Sequence, residues 1–226
     1  MYYCTIQNQQ MESQEFRTKI LSHYTDHVLA HEAYPKSVFK FCQTAGMEEK
    51  DFYRVFGSLD AVREYIWEAF FINTMSVLEK DKNFKKVGRK EKLLSFYFTF
   101  FELLLLNRSY VLFALHQEMN NMKDLGYLKG LRRHFKTFAT DLIEEGNADK
   151  DSRFQQHPPK LFSEAAWLQL LFLLKFWIAD RSENFEKTDA AIEKSVHTAF
   201  DVFDNTPLDS ILDLGKFLWK EKFVNA

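Results

Sequence analysis

His23, His27 and His31 recur at every fourth residue, the spacing at which helical imidazoles can share a metal ion. No cysteine or carboxylate completes a convincing ligand set around them, so a structural role is the stronger reading. His116 with Glu118, and His134 with Asp141, have no nucleophile signature beside them. The chain contains no Gly-rich phosphate loop, no Gly-x-Ser-x-Gly and no Cys-x-x-Cys, so neither enzymatic chemistry nor a cofactor is expected. The stretch CQTAGMEEKDFYRVFGSLDAV, residues 42–62, offers a different chemistry. Lys50 and Arg54 stand four apart and can meet a nucleic-acid groove, while Gln43 and Thr44 can contact its backbone or bases. An ordinary solvated face explains the same side chains, and residue chemistry alone favours it.

Helices must position these groups. Phe16, Ile20, Tyr24 and Val28 lie four apart and mark a first helix. Ser37 can cap a second, which runs to Ala45 and stops at Gly46. Phe52, Tyr53 and Phe56 mark a third; Gly57 breaks it, and Ser58 caps a fourth that extends through Val77. A charged connection over Asp81–Lys92 precedes KLLSFYFTFFELLLLN, which is apolar almost all round and reads as a buried helix. Arg108–Leu125 and Tyr127–Glu145 read as two more helices, and Asp149–Pro159 as the clearest loop. Leu161–Ala179 and Asp189–Phe203 form a last long pair, followed by an amphipathic tail over Leu208–Phe223. No strand or repeat is evident, and the expected class is all-α.

Bulk composition narrows the choices. With 226 residues, 46% hydrophobic and 27% charged, the chain is globular, and 7 Gly and 4 Pro favour long helices over many turns. The 24 Phe imply a large core with room for a cavity. A net charge of −2 supplies no overall basic field to draw in nucleic acid. Cys4 and Cys42 are too few for a disulfide framework and fit the reduced thiols of a cytoplasmic protein. The N-terminal residues MYYCTIQNQQMESQEF lack an apolar signal core. The apolar run Leu168–Ile178, interrupted by Gln169 and Lys175, reads as too short to cross a bilayer.

From Ile20 to Val62 the chain resembles the TetR family of bacterial transcriptional regulators. Ile20-Leu21 is similar to the family's Ile-Leu opening of helix 1, and Ser37-Val38 to the start of helix 2. Ala45-Gly46-Met47 matches the Ala-Gly-Val turn, Tyr53 and Phe56 the Tyr-x-x-Phe of helix 3, and Ser58, Asp60, Ala61 and Val62 the opening of helix 4. The resemblance implies a three-helix helix-turn-helix domain over residues 1–62 and a larger helical ligand-binding and dimerisation domain over 63–226. It places His23 and His27 at core-facing positions, and implies Ser37, Gln43, Thr44, Lys50, Tyr53 and Arg54 as DNA contacts. Its departures fall where the family meets phosphate: Glu48 replaces a capping Ser or Thr, Asp51 a Thr or small residue, and Leu59 a Lys. Between Phe16 and Asp60, six Lys and Arg are matched by six Asp and Glu, which leaves that region without net charge.

The resemblance further implies a homodimer through the C-terminal helix pair, with Leu168, Leu171, Phe172, Ala191, Val196, Ala199 and Phe203 either at the seam or serving only the intrachain core. Phe96, Tyr97, Phe100, Phe101, Tyr110 and Phe113 are expected to line an apolar pocket. Met119, Phe135, Phe138, Trp167, Phe172 and Trp177 would complete it. Its ligand would be hydrophobic: a lipid, fatty acyl chain or isoprenoid. A solid Phe-packed core is compatible with the same composition. The expected function is a regulator that binds operator DNA and responds to a hydrophobic small molecule. The alternative is a TetR-fold protein that binds no DNA and instead binds a lipid, isoprenoid or protein partner. The tail, with Leu208, Ile211, Leu212, Leu218 and Trp219 in one stripe, would cover the domain's own core or, less favoured, lie on a membrane surface.

Overall fold

The computed structural model describes residues 2–119, 126–148 and 158–205, so the tail stripe and nearly all of the expected loop at 149–159 lie outside the described residues. Among the described residues there are α-helices and short 3-10 turns but no strand, in agreement with the all-α expectation. The helices are α1 (Tyr2–His31), α2 (Val38–Ala45), α3 (Glu49–Val55), α4 (Leu59–Lys80) and α5 (Arg89–Leu106). They continue with α6 (Arg108–Met119), α7 (Lys129–Ala148), α8 (Pro159–Ala179) and α9 (Glu186–Asn205). By its internal contacts the chain divides into two compact units, Met1–Asn73 with Glu102–Leu131, and Thr74–Phe101 with Arg132–Ala226.

In the first unit, Ile20, Tyr24 and Val28 of α1 are buried, and α1 packs on α2, α3 and α6. Aromatic rings carry the contact onward: Tyr24 meets Phe41 at 6.1 Å between centroids, Phe41 meets Phe52 at 6.0 Å, and Phe52 meets Phe56 at 6.2 Å. Local chemistry sets the helix ends. Ser37 Oγ accepts the Lys40 N–H at 3.5 Å and starts α2; Ser58 Oγ accepts the Ala61 N–H at 3.1 Å and starts α4. Gly46 ends α2 in the left-handed region, φ 63, and Met47 N–H reaches back to the Cys42 carbonyl at 3.0 Å. α1 extends well ahead of Phe16, because the preceding Gln, Met and Glu are good helix formers that carry no apolar period to announce them.

The second unit is built on rings. Phe96, Tyr97, Phe100 and Phe101 of α5, Phe135 of α7, and Trp167 and Trp177 of α8 are all buried. Phe96 stacks on Phe100 at 5.5 Å and meets Phe135 at 5.3 Å, while Phe101 reaches Trp177 at 6.1 Å. The expected all-round burial of α5 fails at its C-terminal end: Leu106, which falls in the first unit, is exposed. Asp180 joins α8 to α9. One carboxylate oxygen accepts the Ser182 N–H and hydroxyl at 2.8 and 2.6 Å, and the other accepts the Thr188 N–H and hydroxyl at 2.9 and 2.7 Å. Between them Phe185 adopts φ 59 and lays its ring 6.1 Å from Trp177.

Both kinds of joint can be tested by substitution. Nothing lies within 4 Å of a Cβ built at Gly46 or at Gly57, and only Gly46 has a positive φ. Gly46→Ala should therefore cost about 1 kcal/mol through backbone strain alone, with Gly57→Ala near neutral, in urea unfolding. Burial by itself would raise the Asp180 carboxyl, but the bonds from Ser182 and Thr188 outweigh it and hold the pKa down to about 2. A carboxylate depressed on folding stabilises above its unfolded pKa and loses that contribution as pH falls through the folded one. Asp180→Ala should lower stability by about 2 kcal/mol at neutral pH. The deficit should shrink as the pH drops from about 4 toward about 2.

Candidate functional site

Helix α3 places Lys50, Tyr53 and Arg54 three and four residues apart, on one of its faces. All three are exposed, Tyr53 by 52%. The two cations are engaged within α3 and its cap. Lys50 Nζ lies 2.9 Å from Glu48 Oε2, and Arg54 Nη1 lies 2.9 Å from Asp51 Oδ1. Glu48 occupies the N-cap but its side chain makes no capping bond. The hydrogen bond from Lys50, helped by that residue's charge, holds the Glu48 carboxyl below its usual range, and Glu48 raises Lys50 in return. Both partners stand fully in water, where such pairs are weak and exchange readily with other ions.

The expected contacts on and before α2 are differently placed. The Ser37 hydroxyl serves as a helix cap, and the Thr44 hydroxyl donates to the Lys40 carbonyl at 3.0 Å, while Gln43 is exposed. Phe39 of α2 is also exposed, an aromatic that a search for polar contacts overlooks. His23 and His27 are half-exposed on α1, flanking the buried Ile20–Tyr24–Val28 row instead of joining it. The His27 and His31 rings approach to 4.4 Å, and burial, then the charge of His31, lowers the pKa of His27. No group of three or more His, Cys, Asp or Glu is placed to hold a metal ion among the described residues.

The aromatic set expected around a pocket divides between the two units, with Tyr110 and Phe113 in the first. In the second, Phe96, Tyr97, Phe100, Phe101, Phe135, Trp167 and Trp177 pack against one another and against their neighbours as a buried core. Phe138 is half-buried against Phe96, and the side chain of Met119 lies outside the described residues. Open space lies elsewhere. A groove of about 700 Å³ is walled by the start of α5, the later part of α7, α8 and α9, and Phe172 of the expected set lines it. The signal missed in the sequence is alanine: Ala139, Ala165, Ala166, Ala191 and Ala199 all face this groove. Large rings fill space, whereas small side chains leave it open. A chain of hydrogen bonds fixes one wall: Tyr97 hydroxyl to Gln169 Oε1 at 3.3 Å, Gln169 Nε2 to Ser195 Oγ at 3.0 Å, and Ser195 Oγ to the Ile192 carbonyl at 3.1 Å. Burial pushes the Tyr97 phenol far above its usual range, so it remains a neutral donor.

Helix α8 has two apolar faces. Trp167, Leu170, Leu173, Leu174 and Trp177 are buried within the second unit. Leu161, Ala165, Leu168, Phe172, Lys175 and Ala179, spaced alternately by four and three, are all exposed, with Leu168 at 64% and Phe172 at 53%. Of the other residues expected at a dimer seam, Ala199 is exposed, and Leu171 and Ala191 are half-buried. Val196 is fully buried beside Ile192 and belongs to the intrachain core, because it lies on the α9 face turned inward; the side chain of Phe203 is outside the described residues. By length and composition α8 is long and apolar enough to cross a membrane, which corrects the shorter reading of Leu168–Ile178. A core helix passes the same test, and the inner face of α8 is core.

No curated protein matches the sequence. A family model does: the one described as the tetracyclin repressor-like C-terminal domain matches residues 92–218, more than half of the chain. The match takes in most of α5 and all of α6 to α9. With helices and no strand among its described residues, and with that match over more than half its length, the chain belongs to the TetR-like family.

Proposed function

We propose that this protein is a cytoplasmic, homodimeric regulator that meets operator DNA through residues 1–62 and takes a hydrophobic small molecule in the domain over 63–226. It is not proposed to be an enzyme. The observation that carries the reading is the exposed trio Lys50, Tyr53 and Arg54 on one face of α3, directly after a left-handed turn at Gly46. A helix entering the major groove needs that arrangement, with phosphate and base contacts from adjacent turns. The α8 stripe supports the dimer: exposed side chains at alternate four- and three-residue spacing, apolar except for Lys175, follow the pattern of a helix that packs on another helix. Two copies would present two reading helices about one DNA turn apart, roughly 34 Å, and a ligand favouring a different spacing would release the operator.

One observation favours a second reading. Glu48 and Asp51 occupy positions where the family usually carries groups that meet phosphate, and each holds one of the two cations of α3. A face neutralised in this way suits a TetR-fold protein that has given up DNA and binds a lipid, isoprenoid or protein partner.

Binding of the purified protein to its own upstream duplex and to random duplex, across a salt series, separates the two. The regulator reading predicts specific binding that weakens steeply with salt, and a loss of about tenfold or more for Lys50→Ala or Arg54→Ala. It further predicts that Glu48→Gln with Asp51→Asn tightens binding and steepens the salt slope by about one for each additional phosphate that is neutralised. No binding to either duplex at low salt, in the parent and in the Glu48→Gln/Asp51→Asn variant alike, would sink the DNA reading and leave the second.

A further inference from the structure

Helix α2 and its lead-in hold free positive charge that α3 does not. Between Glu32 and Glu48 the chain carries Lys36 and Lys40 and no acidic residue. Both lysines are exposed, and neither is held in an ion pair among the described residues, unlike Lys50 and Arg54 of α3. Between them stands Phe39, 59% exposed. Its ring meets no other ring among the described residues, whereas Phe41, two residues on, is buried against Tyr24 and Phe52. Helical geometry fixes which flank of α2 this phenyl occupies. The buried row of α2 is Phe41, Cys42 and Ala45. To one side of that row, Phe41, Thr44 and Ala45 line a small cavity with His23 and His27, so that flank is turned to α1. Phe39 and Gln43, four residues apart, fall on the other side, next to Cys42. The Cys42 thiol is raised first by burial and then by the charge of Glu49, which sets the same flank beside the first turn of α3. Phe39 and Gln43 thus form an exposed row along the edge of α2 that borders α3.

We propose that Phe39 reads DNA sequence: its ring covers the 5-methyl group of a thymine in the major groove, while Lys36 and Lys40 meet the phosphates beside it. The proposal rests on the operator-binding reading and adds a specificity-determining residue to it. Charge and patch size together select this occupant. The apolar surface at Phe39 is one ring wide, set between two cations and the Gln43 amide. A stable protein interface covers roughly 800 Å² on each partner and is anchored on a cluster of apolar groups, which this edge of α2 does not offer. The major groove offers the matching pattern. There the thymine methyl is the one apolar group on a base edge, it takes apolar contacts from side chains such as Phe, and it is bordered by phosphates that lysines neutralise.

The test uses the full chain and two versions of its own upstream duplex, one with thymine and one with uracil at every thymine position, which differ only in the 5-methyl groups. Covering one methyl-sized group is worth about fourfold in affinity, so the parent protein should bind the thymine duplex about fourfold tighter or more. Phe39→Ala, at an exposed position where helical circular dichroism should be unchanged, should lose that factor on the thymine duplex and bind both duplexes alike. Lys40→Gln should make the salt slope shallower by about one and leave the thymine–uracil gap intact. Equal affinity of the parent for the two duplexes, or a gap that survives Phe39→Ala, would overturn the proposal while operator binding stands. Failure of the parent to bind the thymine duplex at low salt would overturn both. A loss of oligomeric mass in Phe39→Ala would assign the phenyl to packing between copies, and the proposal would fall.

Discussion

Helix α8 has to satisfy two apolar faces, and much of the structure follows from that constraint. Its inner face, with Trp167, Leu170, Leu174 and Trp177, is the wall on which the rings of α5 and α7 assemble. At about 25 cal/mol per Å² of apolar surface removed from water, two tryptophans and several leucines on one helix amount to a large share of the driving force for the second unit. Its outer face, Leu161 to Ala179, remains in water in the single chain. Large exposed apolar side chains aligned on one helix face, here broken by Lys175 alone, commonly mark a place where a partner packs. A second copy is the partner we propose, and the groove beside the stripe is then a space whose edge residues Leu161, Ala165 and Phe172 serve both purposes.

The turn at Asp180 makes this double use of α8 possible. A buried carboxylate that accepts four hydrogen bonds from Ser182 and Thr188 ties the end of α8 to the start of α9. With α9 held there, Ile192 and Val196 complete the core, while Lys194 and Ala199 are left along the groove. Packing, turn chemistry and site geometry are in this way parts of one arrangement.

The segment from α2 to the start of α4 was the most legible part of the sequence because its signals are local. Ser37, Gly46 and Ser58 act within three or four residues of their own position, and each takes the role its side chain, or lack of one, dictates. The groove was not legible. Aromatic residues advertise a pocket in composition, but here they fill their own space, and the opening appears where alanines of α7, α8 and α9 converge. That convergence depends on which faces meet across long sequence separations, which no short-range pattern records. Val196 shows the same limit: a periodic apolar residue on α9 reads equally as seam or core, and only the packing against its neighbours decides. Glu48 and Asp51 were visible as departures from a family pattern, but their pairing with Lys50 and Arg54 depends on side-chain directions that only the folded helix fixes.

Sedimentation of the full chain over a wide concentration range tests the central claim, that the outer face of α8 is covered by a second copy. The result expected is a species of twice 26.9 kDa that Leu168→Lys converts to a single chain without loss of helical content. A mass of 26.9 kDa at every concentration, or a dimer indifferent to Leu168→Lys, would contradict it.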